Sequence, residues 1–165
     1  MGSGKTWSVR KMSEAKQGLV STQTLLIRTA RFPEEYPAIV GLWERSGPGI
    51  HLRRSDEPQE MRKKLERDPD LFLVAEVAGK IVGSVLGGFD GRRGMMYHLA
   101  VAPEVRRQGI GAALMEELEQ RLRQKGCIRY YLLVTPDNEA AIQFYEQYGW
   151  ERMNLFAYGK DLDEG

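Results

Sequence analysis

The stretch from Leu99 to Gly111 has the residue types and spacing that best fit a chemical role. Its sequence, Leu-Ala-Val-Ala-Pro-Glu-Val-Arg-Arg-Gln-Gly-Ile-Gly, leads from an apolar strand-like run into an amphipathic helix. The first N–H groups of a helix lack intrahelical acceptors and lie at the positive end of its dipole. Gly109 lets a phosphate approach that backbone closely, and Arg106 and Arg107 add positive charge. The pattern Arg-x-x-Gly-x-Gly therefore predicts a pyrophosphate loop, although glycines also serve in simple turns.

A second group of candidate residues lies near the end of the chain. Asn138 and Tyr145 are seven positions apart, so one helix would place them on the same face two turns apart. Tyr145 is followed by Gly149 and Trp150. Asn138 would also suit a helix N-cap, and Tyr145 would also suit a core aromatic.

Hydrophobic periodicity predicts the elements that would position these residues. The pattern indicates a strand, two helices, a three-stranded meander, then a helix, a strand, a helix and a strand. The predicted strands are 25–29, 71–77, 81–89, 95–101, 130–134 and 153–158. The first helix has Pro33 in its first turn, and the second has Asp56 as its N-cap. The third runs from about Gly109 to Gly126, and the fourth begins near Pro136. This order is typical of a mixed α/β sheet covered by helices.

Composition limits the class of protein. The chain has 165 residues, enough for one domain, and its 24 basic and 23 acidic side chains give a net charge of +1. Such a balance does not indicate a nucleic-acid or membrane partner, and no apolar run approaches the length of about 20 residues that a spanning helix needs. Cys127 is the only cysteine and fits a reducing, cytoplasmic location. The two histidines, His51 and His98, offer no metal-ligand spacing.

Residues 1–24 are polar and rich in Gly, Ser, Thr and Lys, and we expect them to be a flexible extension of a single domain at 25–165. Gly4-Lys5-Thr6 matches the end of a nucleotide-binding P-loop, but the first glycine of that motif and its preceding strand have no residues here. A nucleotide hydrolase is therefore a distant alternative. It predicts that deleting this segment would abolish ligand binding.

Taken together, the two groups of residues resemble the GCN5-related N-acetyltransferase (GNAT) superfamily over about Leu26 to Lys160. Arg106-x-x-Gly109-x-Gly111 matches its pyrophosphate loop, and the residues from Asn138 to Trp150 match its segment after the fifth strand. Two further segments, 71–77 and 87–94, look closest to small bacterial acetyltransferases of the YpeA type. The resemblance implies a mostly antiparallel sheet that splays between strands four and five, with four helices.

The resemblance also implies a site for acetyl-CoA, the co-substrate, with no metal. Leu99 and Val101 would pair with the pantetheine arm through their backbone, and the Leu99 N–H would stabilise the oxyanion. Asn138 would contact the arm, and Tyr145 would protonate the leaving thiolate. The implied cofactor-binding residues are Leu99, Ala100, Val101, Arg106, Arg107, Gln108, Gly109, Ile110, Gly111, Ala112, Asn138 and Tyr145. The catalytic residues are Tyr145 and Leu99, and the acceptor is a primary amine that attacks directly.

The general base is left open by the sequence. Some members of the family carry a Glu at positions that match Met95 or Leu133 here, and neither of these residues can take a proton. The alternatives are a water relay or one of Tyr97, His98, Glu76 and Asp90. Regular alternation along the strand would place Tyr97 on the face of Leu99 and His98 on the opposite face, where a core role is more usual.

The absence of a Glu base at Met95 and Leu133 affects which acceptor amine and which function we expect. An α-amine, of pKa about 7.7–8.0, is more often neutral than a lysine of about 10.4, so we expect an α-amine or another weakly basic amine as acceptor. A CoA-binding sensor or interaction module without turnover stays an alternative.

Exposed sheet edges would allow a monomer or a homodimer. Cys127 follows a helix end and is expected to be structural.

Overall fold

The chain forms one six-stranded sheet whose strands follow one another in sequence order. The computed structural model describes residues 4–10 and 22–162. The strands are β1 (Lys5–Arg10), β2 (Thr22–Thr29), β3 (Phe72–Val77), β4 (Lys80–Phe89), β5 (Gly94–Val101) and β6 (Tyr130–Tyr131). The helices are α1 (Tyr36–Arg45), α2 (Pro58–Arg67), α3 (Ile110–Gln124) and α4 (Glu139–Gln147).

All neighbouring strands are antiparallel except β5 and β6, which are parallel. A parallel pair needs a long crossover connection, and α3 supplies it here. The predicted fold class is confirmed: a mixed, mostly antiparallel sheet with four helices. No helix of the described residues is both long and apolar enough to cross a membrane.

The helices cover the two faces of the sheet, and β4 shows how. A Cβ added at Gly83 would lie 3.0 Å from Leu114 of α3, whereas the neighbouring Ser84 accepts a hydrogen bond of 2.8 Å from Trp43 Nε1 of α1. Because successive residues of a strand point to opposite faces, α3 and α1 lie on opposite sides. Trp43 and Leu114 are fully buried. The core therefore consists of two apolar layers that hold β4 and β5 in place.

The expectation for the N-terminal segment is wrong in part. Lys5–Arg10 form strand β1 and pair with β2 along its whole length, so they belong to the sheet. The hydrogen bonds between paired strands join backbone groups, so a polar side-chain pattern does not predict whether a segment pairs as a strand. The Lys5 ammonium contacts Gln120 and Glu117 of α3, which gives the lysine a structural role and not that of a P-loop. Residues 1–3 and 11–21 lie outside the described residues.

Two strand predictions near the C-terminus are also wrong. The strand predicted at 130–134 contains only Tyr130 and Tyr131, and the one predicted at 153–158 does not form. Residues 151–162 have no regular secondary structure, and Leu155, Phe156 and Tyr158 are exposed. Alternating apolar residues stabilise a strand only where a partner strand and an apolar layer receive them, and the described part of the chain provides neither here.

Candidate functional site

The sheet opens where β5 and β6 part. β6 is paired with β5 only through Gly94–Tyr130 and Met95–Tyr131, whereas β5 continues to Val101. From Met96 onward, β5 has no strand partner on this side within residues 4–10 and 22–162. Its backbone N–H and C=O groups along this edge can therefore pair with an extended ligand. The predicted splay lies at this point.

Helix α3 begins just beyond this edge, and its N-terminus is open. Gly109 is the N-cap with φ of 79°, and no side chain of the described residues caps the helix. The first intrahelical bond runs from Ala113 N to Gly109 O, which leaves the N–H groups of 110–112 pointing out of the helix end. Arg107, with φ of 61°, is exposed beside them. This end of the helix is suited to an anion.

Arg106 has a different position from that expected. Its Nε donates to Val101 O at 3.2 Å, and its Nη2 donates to Ser46 O beyond the end of α1. The guanidinium therefore links the end of β5 to the α1–α2 loop instead of pointing freely outward. The other arginine that was expected to add charge, Arg107, makes no such backbone contact with the described residues.

Asn138 lies at the same α1–α2 loop. Its Oδ1 accepts the Ala141 N–H at 3.2 Å, so it is the N-cap of α4. A Cβ at Gly49 would lie 2.5 Å from Asn138 Nδ2, so the loop passes directly over the cap. Asn138 and Arg106 therefore approach one another through the turn at residues 46–49, although they are distant in sequence.

Helix α4 packs against the start of α3. A Cβ at Gly111 would lie 3.1 Å from Phe144 Cζ and 3.6 Å from Val101 Cγ2, so this position requires glycine for close packing. Gly111 thus brings the end of β5, the first turn of α3 and the middle of α4 together. The two groups of residues singled out from the sequence therefore lie next to one another.

Tyr145 follows Phe144 on α4 and is half-buried among aromatic rings. Its ring centre lies 5.3 Å from that of Phe144 and 5.7 Å from that of Trp150, and Trp150 in turn packs on Tyr130 at the start of β6. The Tyr145 hydroxyl makes no hydrogen bond within the described residues. Burial raises the pKa of Tyr145 to about 12, so the phenol keeps its proton at neutral pH. It is available as a hydrogen-bond or proton donor.

A β-bulge interrupts β5 beside this site. Tyr97 is paired with Leu86 and Ala100 with Ser84, so Val85 faces both His98 and Leu99. His98 has a φ of 45°, which is rare outside glycine. A bulge takes one residue out of the ladder, so the Leu99 N–H lies at a break in the pairing with β4.

The bulge also reverses the direction that regular alternation predicts for His98 relative to Tyr97. His98 stacks on Trp43 of α1, with ring centres 4.7 Å apart. Gly88 lies on the same face of β4 as Ser84, the face that packs on α1. A Cβ added at Gly88 would lie 3.4 Å from Tyr97 and 3.6 Å from Lys64 of α2, so Tyr97 also lies on this face. Tyr97 and His98 therefore share the α1–α2 face, and the prediction of opposite faces, which assumed regular alternation, is wrong.

His98 is paired with a carboxylate from a distant part of the chain. His98 Nε2 lies 2.7 Å from Asp56 Oδ1, and the Arg53 N–H donates to Asp56 Oδ2 at 2.8 Å. The Asp56 side chain is 10% exposed and that of His98 is 18% exposed. The prediction that Asp56 is the N-cap of α2 is wrong. Asp56 lies in a short 3₁₀ turn, and Glu57 is the N-cap.

The other candidate bases, Glu76, Asp90 and Tyr97, are less suited to accept a proton at this site. Glu76 accepts hydrogen bonds from Arg28, with Nη2–Oε2 of 2.6 Å, and lies on β3, two strands from β5. Asp90 is exposed in the β4–β5 turn, where the N–H groups of Arg93 and Arg92 lower its pKa. Burial and the Asp68 carboxylate raise the pKa of Tyr97, which is 43% exposed, so its phenol stays protonated at neutral pH and offers no phenolate to accept a proton.

Comparison with known proteins identifies the family. The sequence profile of the "Acetyltransferase (GNAT) family" matches residues 36–150, which include every element of this site. The chain belongs to the acetyltransferase (GNAT) family. It is 45% identical over 132 residues to a protein named Acetyltransferase ECA0875 from Pectobacterium atrosepticum, covering 79% of this chain and 92% of that protein.

Solved structures share the GNAT fold. Ard1 from Thermoplasma volcanium superposes with a TM-score of 0.66 at 26% identity, over 76% of this chain and 81% of that one. The PaiA N-acetyltransferase from Thermoplasma acidophilum, in complex with coenzyme A, superposes with a TM-score of 0.70 at 19% identity, over 80% and 92%. The open edge between β5 and β6 therefore belongs to a fold that other acetyltransferases share.

Asp56 is the residue of this GNAT domain that sequence reasoning missed. A short polar loop containing Asp56 and Pro58 is typical of a helix start. The sequence analysis therefore predicted Asp56 as an N-cap and did not predict its contact with His98. No spacing rule relates residues 42 positions apart. Cys127, by contrast, is buried and donates to Arg129 O at 3.3 Å, which confirms its structural placement.

Proposed function

We propose that this GNAT protein transfers the acetyl group of acetyl-CoA to the nitrogen of a primary amine. The observation that carries the proposal is the convergence of three features at the opening between β5 and β6. They are the unpaired edge of β5, the open N-terminus of α3 and the half-buried Tyr145 hydroxyl. Together they provide groups for an extended arm, a pyrophosphate and a leaving thiolate.

The roles follow from these positions. The edge from Leu99 to Val101 would pair with the pantetheine arm, as an added strand does. The backbone from Arg106 to Ala112 would hold the pyrophosphate, with Arg107 as the free cation. Asn138, as the N-cap of α4, would contact the arm on the opposite side. Arg106 would act mainly by fixing the loop through its contacts with Val101 and Ser46.

The chemistry needs a donor for the oxyanion and a proton for the thiolate. The Leu99 N–H, at the break in the ladder, would stabilise the oxyanion that forms when the amine attacks the thioester carbon. Tyr145 would then protonate the sulfur. Its pKa of about 12 lies above that of a thiol, about 8.5, so the transfer relies on the hydrogen bond that forms as charge develops on sulfur.

The acceptor would enter from the α1–α2 side. We expect an α-amine of a peptide or protein, or a small weakly basic amine, to react faster than an internal lysine. A cytoplasmic location fits this reaction and the single unpaired Cys127.

Calorimetric titration with acetyl-CoA, with magnesium-ATP as the control, tests the cofactor. We expect acetyl-CoA to bind with a Kd in the range of about 1–100 μM and ATP to give no heat. A thiol-release assay with a peptide α-amine and its N-terminally blocked, lysine-containing counterpart then tests the acceptor. Absence of acetyl-CoA binding would contradict the proposed function, and faster lysine acetylation would contradict the preference for α-amines.

A further inference from the structure

His98 is held in one orientation by three independent features. Its backbone adopts a φ of 45°, a conformation that is unfavourable for a non-glycine residue. Its ring packs against Trp43 at an interplanar angle of 52°, and Trp43 is itself fixed by the bond to Ser84. Its Nε2 is bound to Asp56. Strain of this kind persists only where the surrounding structure imposes it, and it often marks a functional site.

The contact with Asp56 determines the tautomer of a neutral His98. A carboxylate can only accept hydrogen bonds, so Nε2 carries the proton in the Nε2–Asp56 bond. Nδ1 then keeps its lone pair, and it makes no hydrogen bond within residues 4–10 and 22–162. The backbone N–H of Arg53 fixes the Asp56 carboxylate in turn. An imidazole oriented by a buried carboxylate, with its second nitrogen unprotonated, is the arrangement of a general base.

The position of this imidazole fits the reaction. His98 is adjacent in sequence to Leu99, whose N–H is the proposed oxyanion donor, and both lie in the same bulge. It lies on the α1–α2 face, from which the acceptor would approach. Tyr97, next to it on this face, has a raised pKa and so keeps its proton at neutral pH. Tyr36 donates to Asp56 O, and Lys64 pairs with Asp68.

We propose that His98 is the general base of acetyl transfer and that Asp56 positions it. This inference rests on the proposed function. The amine nitrogen attacks the thioester carbon, and the proton that this nitrogen loses passes to His98 Nδ1. The C–S bond breaks, the sulfur takes its proton from Tyr145, and the amide and CoA leave. His98 then releases a proton to water and Tyr145 regains one, so no other reactant is consumed.

Steady-state kinetics of His98→Gln, Asp56→Asn and the control Glu117→Gln test this assignment. Glu117 is a similarly buried carboxylate, but it lies on α3 and pairs with Arg121. We expect kcat to fall by about 100-fold or more for His98→Gln. It should fall by about tenfold for Asp56→Asn, where the ring stays in place but the charge that stabilises an imidazolium is lost. Glu117→Gln should keep its kcat, and the Kd for acetyl-CoA should be unchanged in all three.

Chemical rescue separates catalysis from structural support. In His98→Ala, free imidazole in the assay should restore part of kcat, which a purely structural role of His98 would not allow. If His98→Gln fails to fold, Asp56→Asn and the rescue still decide. Unchanged kcat in the variants, or no rescue, would overturn this inference while leaving an active wild type and the proposed function intact. A wild type that binds acetyl-CoA but acetylates no amine would overturn both.

Discussion

The N-terminus of α3 and the bulge of β5 are neighbours along the chain, and they contribute to the site in different ways. The α3 end uses backbone N–H groups that one short segment arranges, with Gly109 and Arg107 both at positive φ. The bulge uses a side chain, His98, whose orientation depends on Trp43 and Asp56 from two other elements. An anion site built from backbone can be encoded locally, whereas an oriented base needs contacts between distant residues.

The largest expected effect concerns Tyr145, the proposed proton donor. In Tyr145→Phe, kcat should fall by about 100-fold or more because the thiolate would leave unprotonated. The Kd for acetyl-CoA should change little, since the variant loses only a hydroxyl group. Rapid thiol-release kinetics and calorimetry measure the two quantities.

Tyr148→Phe is the matched control for this prediction. Tyr148 lies three residues further along, packs on Phe144 and is 48% exposed. It should keep both its rate and its acetyl-CoA affinity. An unchanged kcat in Tyr145→Phe would remove Tyr145 from the mechanism and favour a different proton donor or a binding module.

A matched pair of glycine substitutions tests whether the α3 end acts through its backbone. Gly109 and Gly126 precede and follow α3 with φ of 79° and 82°, and a Cβ at either would meet none of the described atoms within 4 Å. Alanine at each position should therefore cost about 1–2 kcal/mol of folding stability. Only Gly109→Ala should also weaken acetyl-CoA binding, by about tenfold, because its methyl group would lie in the path of the pyrophosphate at the proposed site.

Chemical denaturation and calorimetry on both variants provide the measurements. Equal affinities in Gly109→Ala and Gly126→Ala would place the pyrophosphate elsewhere. Such a result would contradict the view that the backbone at the start of α3 binds the cofactor while the His98 side chain in the bulge acts as the base.

The smallest effect on activity is expected from a charged cluster outside both regions. Hydrogen bonds from Arg28, with further bonds from Arg31, lower the pKa of Glu35 from 4.5 to about 2. A carboxyl group with a lowered pKa stabilises the fold above its unfolded pKa, and that stability is lost as the pH falls through the folded value. The Glu35 side chain is 11% exposed, so Glu35→Gln should cost roughly 2–3 kcal/mol at pH 7.

Urea denaturation at pH 7, 5, 4 and 3 checks this prediction. The difference between wild type and Glu35→Gln should shrink below about pH 4.5, and kcat at pH 7 should not change. Glu34→Gln, at the exposed neighbouring position, should behave as wild type. A loss of activity in folded Glu35→Gln would show that the cluster influences the site.

The elements that the sequence predicted well are those with strong internal patterns. The third helix, predicted from about Gly109 to Gly126, spans Ile110–Gln124, and the β3–β4 hairpin turns at Ala78 and Gly79 as expected. The predictions failed where an element depends on a partner. Strand β1 has a polar sequence but a partner in β2, while residues 153–158 have a strand-like sequence but remain without a partner among the described residues.

The site divides along the same line. The α3 loop, the Asn138 cap and the position of Tyr145 on α4 could be predicted from local sequence, because glycine, capping and helical spacing are local properties. The contacts of His98 with the Asp56 carboxylate and with Trp43, which distinguish it from the other three candidate bases, come from tertiary packing. A bulge that reverses the direction of one side chain, and a contact across 42 positions, arise from the packing of α1 and its loop on the sheet, for which the sequence has no local signal.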